Sequence, residues 1–378
     1  MAWPKVTVAQ LNLYQGSTDE IERKVLFIGR VPEGSYEGTP YRGLIDSQSN
    51  IDVLLPRKGT FRNYVDAAMR NGGQNWSAYV YPLVPTTSDD AWVDIVMDQQ
   101  ALWSAEGVVL TDPIRTQAAI KAAQNLREQL INKWGRWVWF ILATEGPQQD
   151  EASAAYVNRL TELQKNIVAP AVQLVPAING DEPGILAGRL CNRVATVADS
   201  PARVRTGPLV VGSPAVPWDD KHNSLDITTL QALERVRYSV PMWYPDYDGF
   251  YWSDGRTLDV MGGDFETIES LRIVDKVARR VRMLAIRKIG DRTLNSTPSS
   301  IAANQMYFAG PLRDMSVSSQ INGIRFPGEV QTPRDQDVSI VWMTPSEVTI
   351  YIVIRPVNSP KQITVGLLLD TTINQEAA

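Results

Sequence analysis

The two residue types that most often carry chemistry are nearly missing: among 378 residues there is one cysteine, Cys191, and one histidine, His222. A single cysteine excludes an internal disulfide and points to assembly in a reducing cytoplasm. Any Ser-His-Asp or Cys-His arrangement, and any zinc site with a histidine ligand, would have to use His222. That residue stands in Trp218-Asp219-Asp220-Lys221-His222-Asn223-Ser224, a polar loop with no apolar frame, and reads as solvated. No apolar run approaches the ~18 residues of a membrane span. The N-terminus, Met1-Ala2-Trp3-Pro4-Lys5, lacks the charged and apolar regions of a secretory signal. A basic excess is absent too; a net charge of -5 argues against a general nucleic-acid binder. Neither G-x-x-x-x-G-K-[ST] nor G-x-G-x-x-G occurs, so a nucleotide site has no support. No catalytic, cofactor-binding or metal-binding set is assigned.

The length exceeds that of one hydrophobic core, and two or three units are expected. Residues 1–19 read as an extended arm. Val6 and Val8 alternate with polar residues, and Leu11 and Leu13 do so in the opposite phase around Ala9-Gln10. Strands are predicted over residues 25–29, 51–55, 76–84, 107–111, 136–143 and 171–176. Helices are predicted over 61–69, 89–102, 113–134 and 148–168. This alternation implies crossovers onto a mainly parallel sheet, hence an α/β layered domain over residues 20–200. A smaller α+β domain is expected over 201–355. Gly184 and Gly188 lie one helical turn apart in a predicted helix, where close packing on a neighbouring helix explains them. Pro201 to Pro217 reads as an extended connection, and residues 225–236 as a short helix.

The last quarter is strand-rich. Residues 338–343 and 348–354 flank Thr344-Pro345-Ser346-Glu347 as a hairpin. Beyond Pro356 and Pro360, Ile363, Val365, Leu367 and Leu369 alternate with Thr364, Gly366, Leu368 and Asp370, so residues 356–378 form a second arm. An isolated terminal strand cannot hold itself together, and addition to a neighbouring subunit's sheet suits both ends.

The most informative stretch spans residues 248–289. Phe250, Tyr251 and Trp252 are strong strand formers, and Asp254-Gly255 suits a tight hairpin turn leading into Arg256-Thr257-Leu258. After Gly262-Gly263, Asp264 is placed to cap a helix. Leu271, Val274, Val277, Ala278, Val281, Leu284 and Ala285 share one side of it. Arg272, Lys276, Arg279, Arg280 and Arg282 gather on the other. A cationic helix face in an acidic chain needs partners, either on another protein or among local Glu and Asp residues.

Tyr251-Trp252-Ser253-Asp254-Gly255-Arg256-Thr257-Leu258, followed by the helix from Ile268 to Arg282, resembles the most recognisable segment of contractile-tail sheath proteins. Those proteins build the outer tube of contractile bacteriophage tails and related injection machines. The resemblance extends to Gly184-Ile185-Leu186-Ala187-Gly188-Arg189, to Pro201-Ala202 and Gly207-Pro208-Leu209-Val210, to residues 230–240 and to Ile363-Thr364-Val365. The chain is short for the family, as a compact branch would be.

The resemblance implies a structural subunit without catalysis. It would form hexameric rings stacked in a helical tube around an inner tail-tube protein, and would meet baseplate and tail terminator proteins. Direct nucleic-acid contact and stable membrane insertion are not implied. Assembly would take place in the host cytoplasm and the product would be part of the virion. In such a sheath each small C-terminal sheet receives arms from neighbours. Residues 338–354 would supply the resident strands, with Val6, Val8, Leu11, Leu13, Ile363, Val365, Leu367 and Leu369 on the arms. Arg272, Lys276, Arg279 and Arg280 would face an acidic inner tube. Contraction would be a collective conformational change that drives the tube through a target envelope, with its energy stored at assembly.

Two rival readings use other residues. Asp246, Asp248 and Glu145 are the candidate acids of a glycoside-hydrolase-like α/β protein, although no spacing pairs them. The aromatic run Tyr238, Trp243, Tyr244, Tyr247, Phe250, Tyr251 and Trp252 would give a carbohydrate-stacking surface. Asp246, Asp248 and Asp254 lack the spacing of a calcium loop. Both rivals predict a discrete particle with a ligand, whereas the sheath reading predicts tubes or rings.

Overall fold

Strand β1 (Val25–Arg30) sets the plan of the larger unit: Val25 and Phe27 enter one core while Leu26 and Ile28 enter another. A strand buried on both faces carries an unbroken apolar run, and that is what a parallel sheet covered on both sides requires. The computed structural model describes residues 21–36, 38–212 and 226–367. The expected arm bearing Val6, Val8, Leu11 and Leu13, the His222 loop and Leu369 lie outside them.

Six strands form the main sheet in the order β2-β3-β1-β4-β5-β6. They are β1, β2 (Gly43–Asp46), β3 (Ser77–Leu83), β4 (Gly107–Ile114), β5 (Trp139–Thr144) and β6 (Val172–Pro176). All neighbours are parallel except β2, which runs antiparallel along β3 at one edge. Helices α1 (Ile51–Leu54), α2 (Thr60–Gly72) and α6 (Glu182–Cys191) cover one face. Helices α3 (Trp92–Leu102), α4 (Gln117–Trp134), α5 (Ser153–Gln164) and α7 (Ile227–Arg235) cover the other.

The strand expected at residues 51–55 is instead helix α1. Asn50 accepts a hydrogen bond from the Asp52 amide at 3.1 Å, and this cap turns a short apolar run into one helical turn. The strand β2 lies earlier, where only Ile45 is buried. The helix expected from Pro113 starts later, because β4 runs through Pro113 to Ile114.

Gly184 and Gly188 let α6 lie against α2. A β-carbon on Gly184 would stand 2.2 Å from the Tyr64 carbonyl oxygen, and one on Gly188 would stand 2.4 Å from that of Ala68. Replacing glycine by alanine in an ordinary helix gains up to about 1 kcal/mol. Here the backbone obstructs it, and Gly184→Ala is expected to destabilise the protein by about 1–3 kcal/mol in urea unfolding. A stabilised variant would refute the close approach.

The hairpin in the aromatic stretch is displaced from its expected turn. It joins β7 (Pro241–Tyr244) to β8 (Tyr247–Trp252) through Pro245 and Asp246, and Asp246 takes the left-handed φ of +61°. Beyond β8 the backbone makes single bridges, Ala169 to Leu258 and Arg256 to Thr267, rather than a second ladder. The Gly255 amide hydrogen-bonds to Asp254 Oδ1 at 2.7 Å, so the Asp254-Gly255 pair serves a corner of the chain.

Helix α8 (Ile268–Arg287) begins after Thr267; Asp264 stands before the start and does not cap it. Its first turns, through Ile268 and Leu271, belong to the sheet core. Ile273 and Val277 belong to a second core with Leu312, Met315 and Val330. Val281, Leu284 and Ala285 border a further cluster built on Phe308, Val338 and Ile340. Around it lie α9 (Pro298–Phe308), α10 (Gly310–Ser316), the short pair β9 (Ser319–Ile321) and β10 (Ile324–Phe326), and the hairpin β11 (Val338–Thr344) with β12 (Glu347–Ile352). One helix thus runs from the larger unit into the smaller.

Candidate functional site

The cationic side of α8 is the first candidate surface, and most of it turns inward. Arg272 is buried and donates to Glu106 through both Nε and Nη2 at 2.8 Å. The Arg23 amide donates to the same carboxylate at 2.7 Å. Burial alone would push the Glu106 carboxyl up, but Arg272 and Arg279 outweigh it and hold it at about 2. Arg279 also pairs with Glu22 at 3.0 Å and donates to the Trp137 carbonyl at 3.1 Å. Lys276 meets both oxygens of Glu329 at 2.7 Å. Arg127 of α4 closes a second buried fork on Asp275, at 2.6 and 2.9 Å.

The expectation that Arg272, Lys276, Arg279 and Arg280 form one outward-facing contact is therefore corrected for the first three. They bind carboxylates of their own chain because α8 is covered on both sides. Arg280 is exposed, as is Arg282. Helical periodicity separates an apolar side from a polar one, but it does not reveal that Glu106 and Glu22, distant in sequence, fold back over the polar side.

The second candidate is the C-terminal segment. After β12, Arg355 pairs with Asp337, the Gln331 amide donates to the Arg355 carbonyl at 2.7 Å, and Val330 bridges to Pro356. Lys361 then reaches back to the body, with Nζ 2.5 Å from Asp254 Oδ1 and 2.7 Å from Glu269 Oε1. Burial works against the Lys361 charge, but the two carboxylates outweigh it and raise its pKa. This tether joins the arm to the segment on which the family resemblance rests, and sequence pattern alone did not suggest it.

Beyond the tether, Ile363 is 75%, Val365 72% and Leu367 90% exposed. The segment belongs to no helix or strand ladder of the described residues. Among the described residues, hairpin β11–β12 is a sheet of two strands. It is supported by α9, whose Gln305 Nε2 donates to the Val338 carbonyl at 3.0 Å.

The residues of the rival readings are scattered. Glu145 lies just after β5, paired with Arg115 at 2.7 Å and Arg159 at 3.8 Å, whereas Asp246 and Asp248 sit on the exposed β7–β8 hairpin. The buried Trp252 donates to Ser239 Oγ at 2.7 Å and Tyr238 to the Leu160 carbonyl at 2.7 Å, and Tyr251 is buried too, so three of the aromatic residues are unavailable for stacking on a ligand. Cys191 is buried, and burial pushes its thiol up to about 12. Among the described residues, no cluster of three His, Cys, Asp or Glu is placed to hold a metal, and no helix is long and apolar enough to cross a membrane.

A protein of Haemophilus phage HP1 (strain HP1c1), provisionally named a tail sheath protein, is 47% identical over 378 residues, covering 97% of this chain and 98% of its own. The chain belongs to the tail sheath family. Within that family it matches the models described as DUF2586, N-terminal domain, over residues 3–256, and DUF2586, C-terminal domain, over residues 264–372. The sheath fold is shared more widely. The helical sheath of the anti-feeding prophage in its contracted state aligns with a TM-score of 0.58 at 13% identity, over 97% of this chain and 100% of that one. The sheath tail protein of Listeria innocua aligns with a TM-score of 0.54 at 9% identity, over 89% and 93%. At such identities the likeness is one of fold. In this sheath protein the α/β layered unit with its mainly parallel sheet and the smaller C-terminal unit are as expected.

Proposed function

We propose that this tail sheath protein polymerises around an inner tail-tube protein and contracts to drive that tube through a target cell envelope. The observation that carries the reading is the segment from Ile363 to Leu367, apolar at alternate positions, exposed, and outside every strand ladder of the described residues. Such a segment is stabilised by joining an edge strand of another copy, where its backbone groups find partners. Val6, Val8, Leu11 and Leu13 would act likewise at the other end, and Leu369 would extend the C-terminal arm.

In this reading the subunits form hexameric rings stacked in a helical tube that ends at baseplate and terminator proteins. Assembly occurs in the host cytoplasm and the product is a virion component. The chain works without catalysis, as a part that moves. We place the division between its rigid bodies along α8, where the sheet core gives way to the smaller cores, rather than near residue 200. Purified protein is expected to form tubes or stacked rings by negative-stain microscopy. A monodisperse monomer that binds a sugar would refute the proposal.

A further inference from the structure

Between the end of α4, the end of α3 and the second half of α8 lies a cavity of about 580 Å³. Among the described residues its wall carries four arginines besides the partnered Lys24, namely Arg136, Arg279, Arg280 and Arg282, and one carboxylate, Glu22, which already pairs with Arg279. That is an unusual concentration in a chain of net charge -5. Arg136 is partly buried, its guanidinium donates to Ser104 Oγ, and burial together with the nearby Arg282 charge lowers its pKa. Two arginines that repel each other, with no carboxylate paired to either among the described residues, call for an anionic partner. The remaining wall is aromatic, with Tyr79, Trp134 and Trp137.

The complementary shape is on the same chain. Every residue from Tyr244 to Phe250 is exposed. Asp246 and Asp248 project from this hairpin and form no ion pair among the described residues. Tyr244, Tyr247 and Tyr251 pack on one another with ring centroids 5.6–6.4 Å apart. The Leu209 amide fixes the outer strand through the Phe250 carbonyl at 2.8 Å. The tip is therefore a preformed acidic and aromatic knob, which loses little conformational freedom when it docks.

We propose that the β7–β8 tip of a second copy seats in this cavity, with Asp246 and Asp248 against Arg136, Arg280 and Arg282, and Tyr247 against Trp134 and Trp137. Charge complementarity and the matching aromatic character select this occupant. Two different patches on identical chains make a head-to-tail contact, and its repetition generates a row or helix rather than a closed pair. The contact rests on the polymeric reading above and adds to it a join made by side chains, separate from the arms.

Charge reversal tests it. Asp246→Arg with Asp248→Arg, and separately Arg280→Glu with Arg282→Glu, alter exposed side chains, and circular dichroism and Tm should match the parent. Each double variant is expected to raise the critical concentration for polymerisation about tenfold or more, and the two sets combined in one chain to restore it. Either variant polymerising like the parent overturns the contact, as does a combined chain no better than its parts. Loss with the arginine set alone would mean that another anion, such as residues 1–20 of the same chain, fills the cavity. Polymer dispersed by nuclease would assign it to nucleic acid.

A second readout does not depend on the polymer. Chains carrying Asp246→Cys and chains carrying Arg282→Cys, mixed under an added oxidant, should form a disulfide-linked heterodimer; the native Cys191 is buried. Heterodimer without any parent polymer would keep the contact and sink the sheath reading. Polymer without heterodimer would do the reverse.

Discussion

Removing residues 363–378 is expected to leave a folded subunit that no longer polymerises. The deleted segment starts after Lys361, so the tether to Asp254 and Glu269 survives. The described part of the segment lies outside every buried cluster of the chain. Tm should therefore move little. Assembly should suffer far more. Burying Ile363, Val365 and Leu367 on a neighbour contributes roughly 1.5–3 kcal/mol each. Each backbone hydrogen bond gained contributes roughly 0.5–1.5 kcal/mol more. Every 1.4 kcal/mol is about a factor of ten in affinity, so the loss spans several orders of magnitude per contact. Sedimentation velocity should show the truncated protein as a single small species at concentrations where the parent pellets as polymer. Replacing Ile363, Val365 and Leu367 by Asp should act alike without shortening the chain. Normal polymer from either variant would remove the main support for the sheath mechanism.

Arg272→Ala should cost the fold more than any substitution on the surface. Removing one member of a buried pair leaves the other charge uncompensated, at about 3–5 kcal/mol. Whole domains have only about 5–15 kcal/mol of stability, so the variant stands at the edge of unfolding. Combining Arg272→Met with Glu106→Gln removes both charges and is expected to recover much of the loss, because the pair itself roughly balances its own desolvation. Urea denaturation of the parent, Arg272→Met, Glu106→Gln and the double variant gives the coupling directly.

The same pair sets a pH dependence. Glu106 is held at about 2 when folded, below its ordinary value of 4.5. The unfolded chain therefore takes up the proton first as pH falls. The pair's stabilisation is full above about pH 4.5 and is lost as pH drops toward about 2, and the Glu106→Gln double variant should lack that part of the acid transition. An identical acid transition in both would show that Glu106 is not the responsible group.

Much of this was legible in the residues, and the boundary is physical. The parallel sheet could be read because a strand buried on both faces has an unbroken apolar run, as β5 does from Trp139 to Ala143. Gly184 and Gly188 could be read because only a close neighbour demands bare backbone at that spacing. The one-turn helix α1 reads as a strand because four residues, three of them apolar, lack the length to distinguish 3.6 from 2 as a period. Helices α9 and α10 are not legible because the one side-chain cap, Thr297 before Pro298, stands in a stretch with little periodic contrast and α10 starts after Ala309 with no side-chain cap. The cations of α8 were misassigned for another reason. A charge on a helix announces its own need but not its partner, and Glu106 and Glu22 reach it only through the tertiary fold.

Lys361 gives the C-terminal segment a fixed root. Ile363 follows two residues later, so at ~3.3–3.6 Å per residue it lies within about 7 Å of that root. A neighbour that captures this strand must bring its sheet edge to the very flank where Asp254 and Glu269 sit. There is almost no slack to pay out. While the ion pairs hold, a copy joined through this strand would be able to swivel about this point but not to drift from it, and the proposed contraction would have to proceed by pivoting on a short leash.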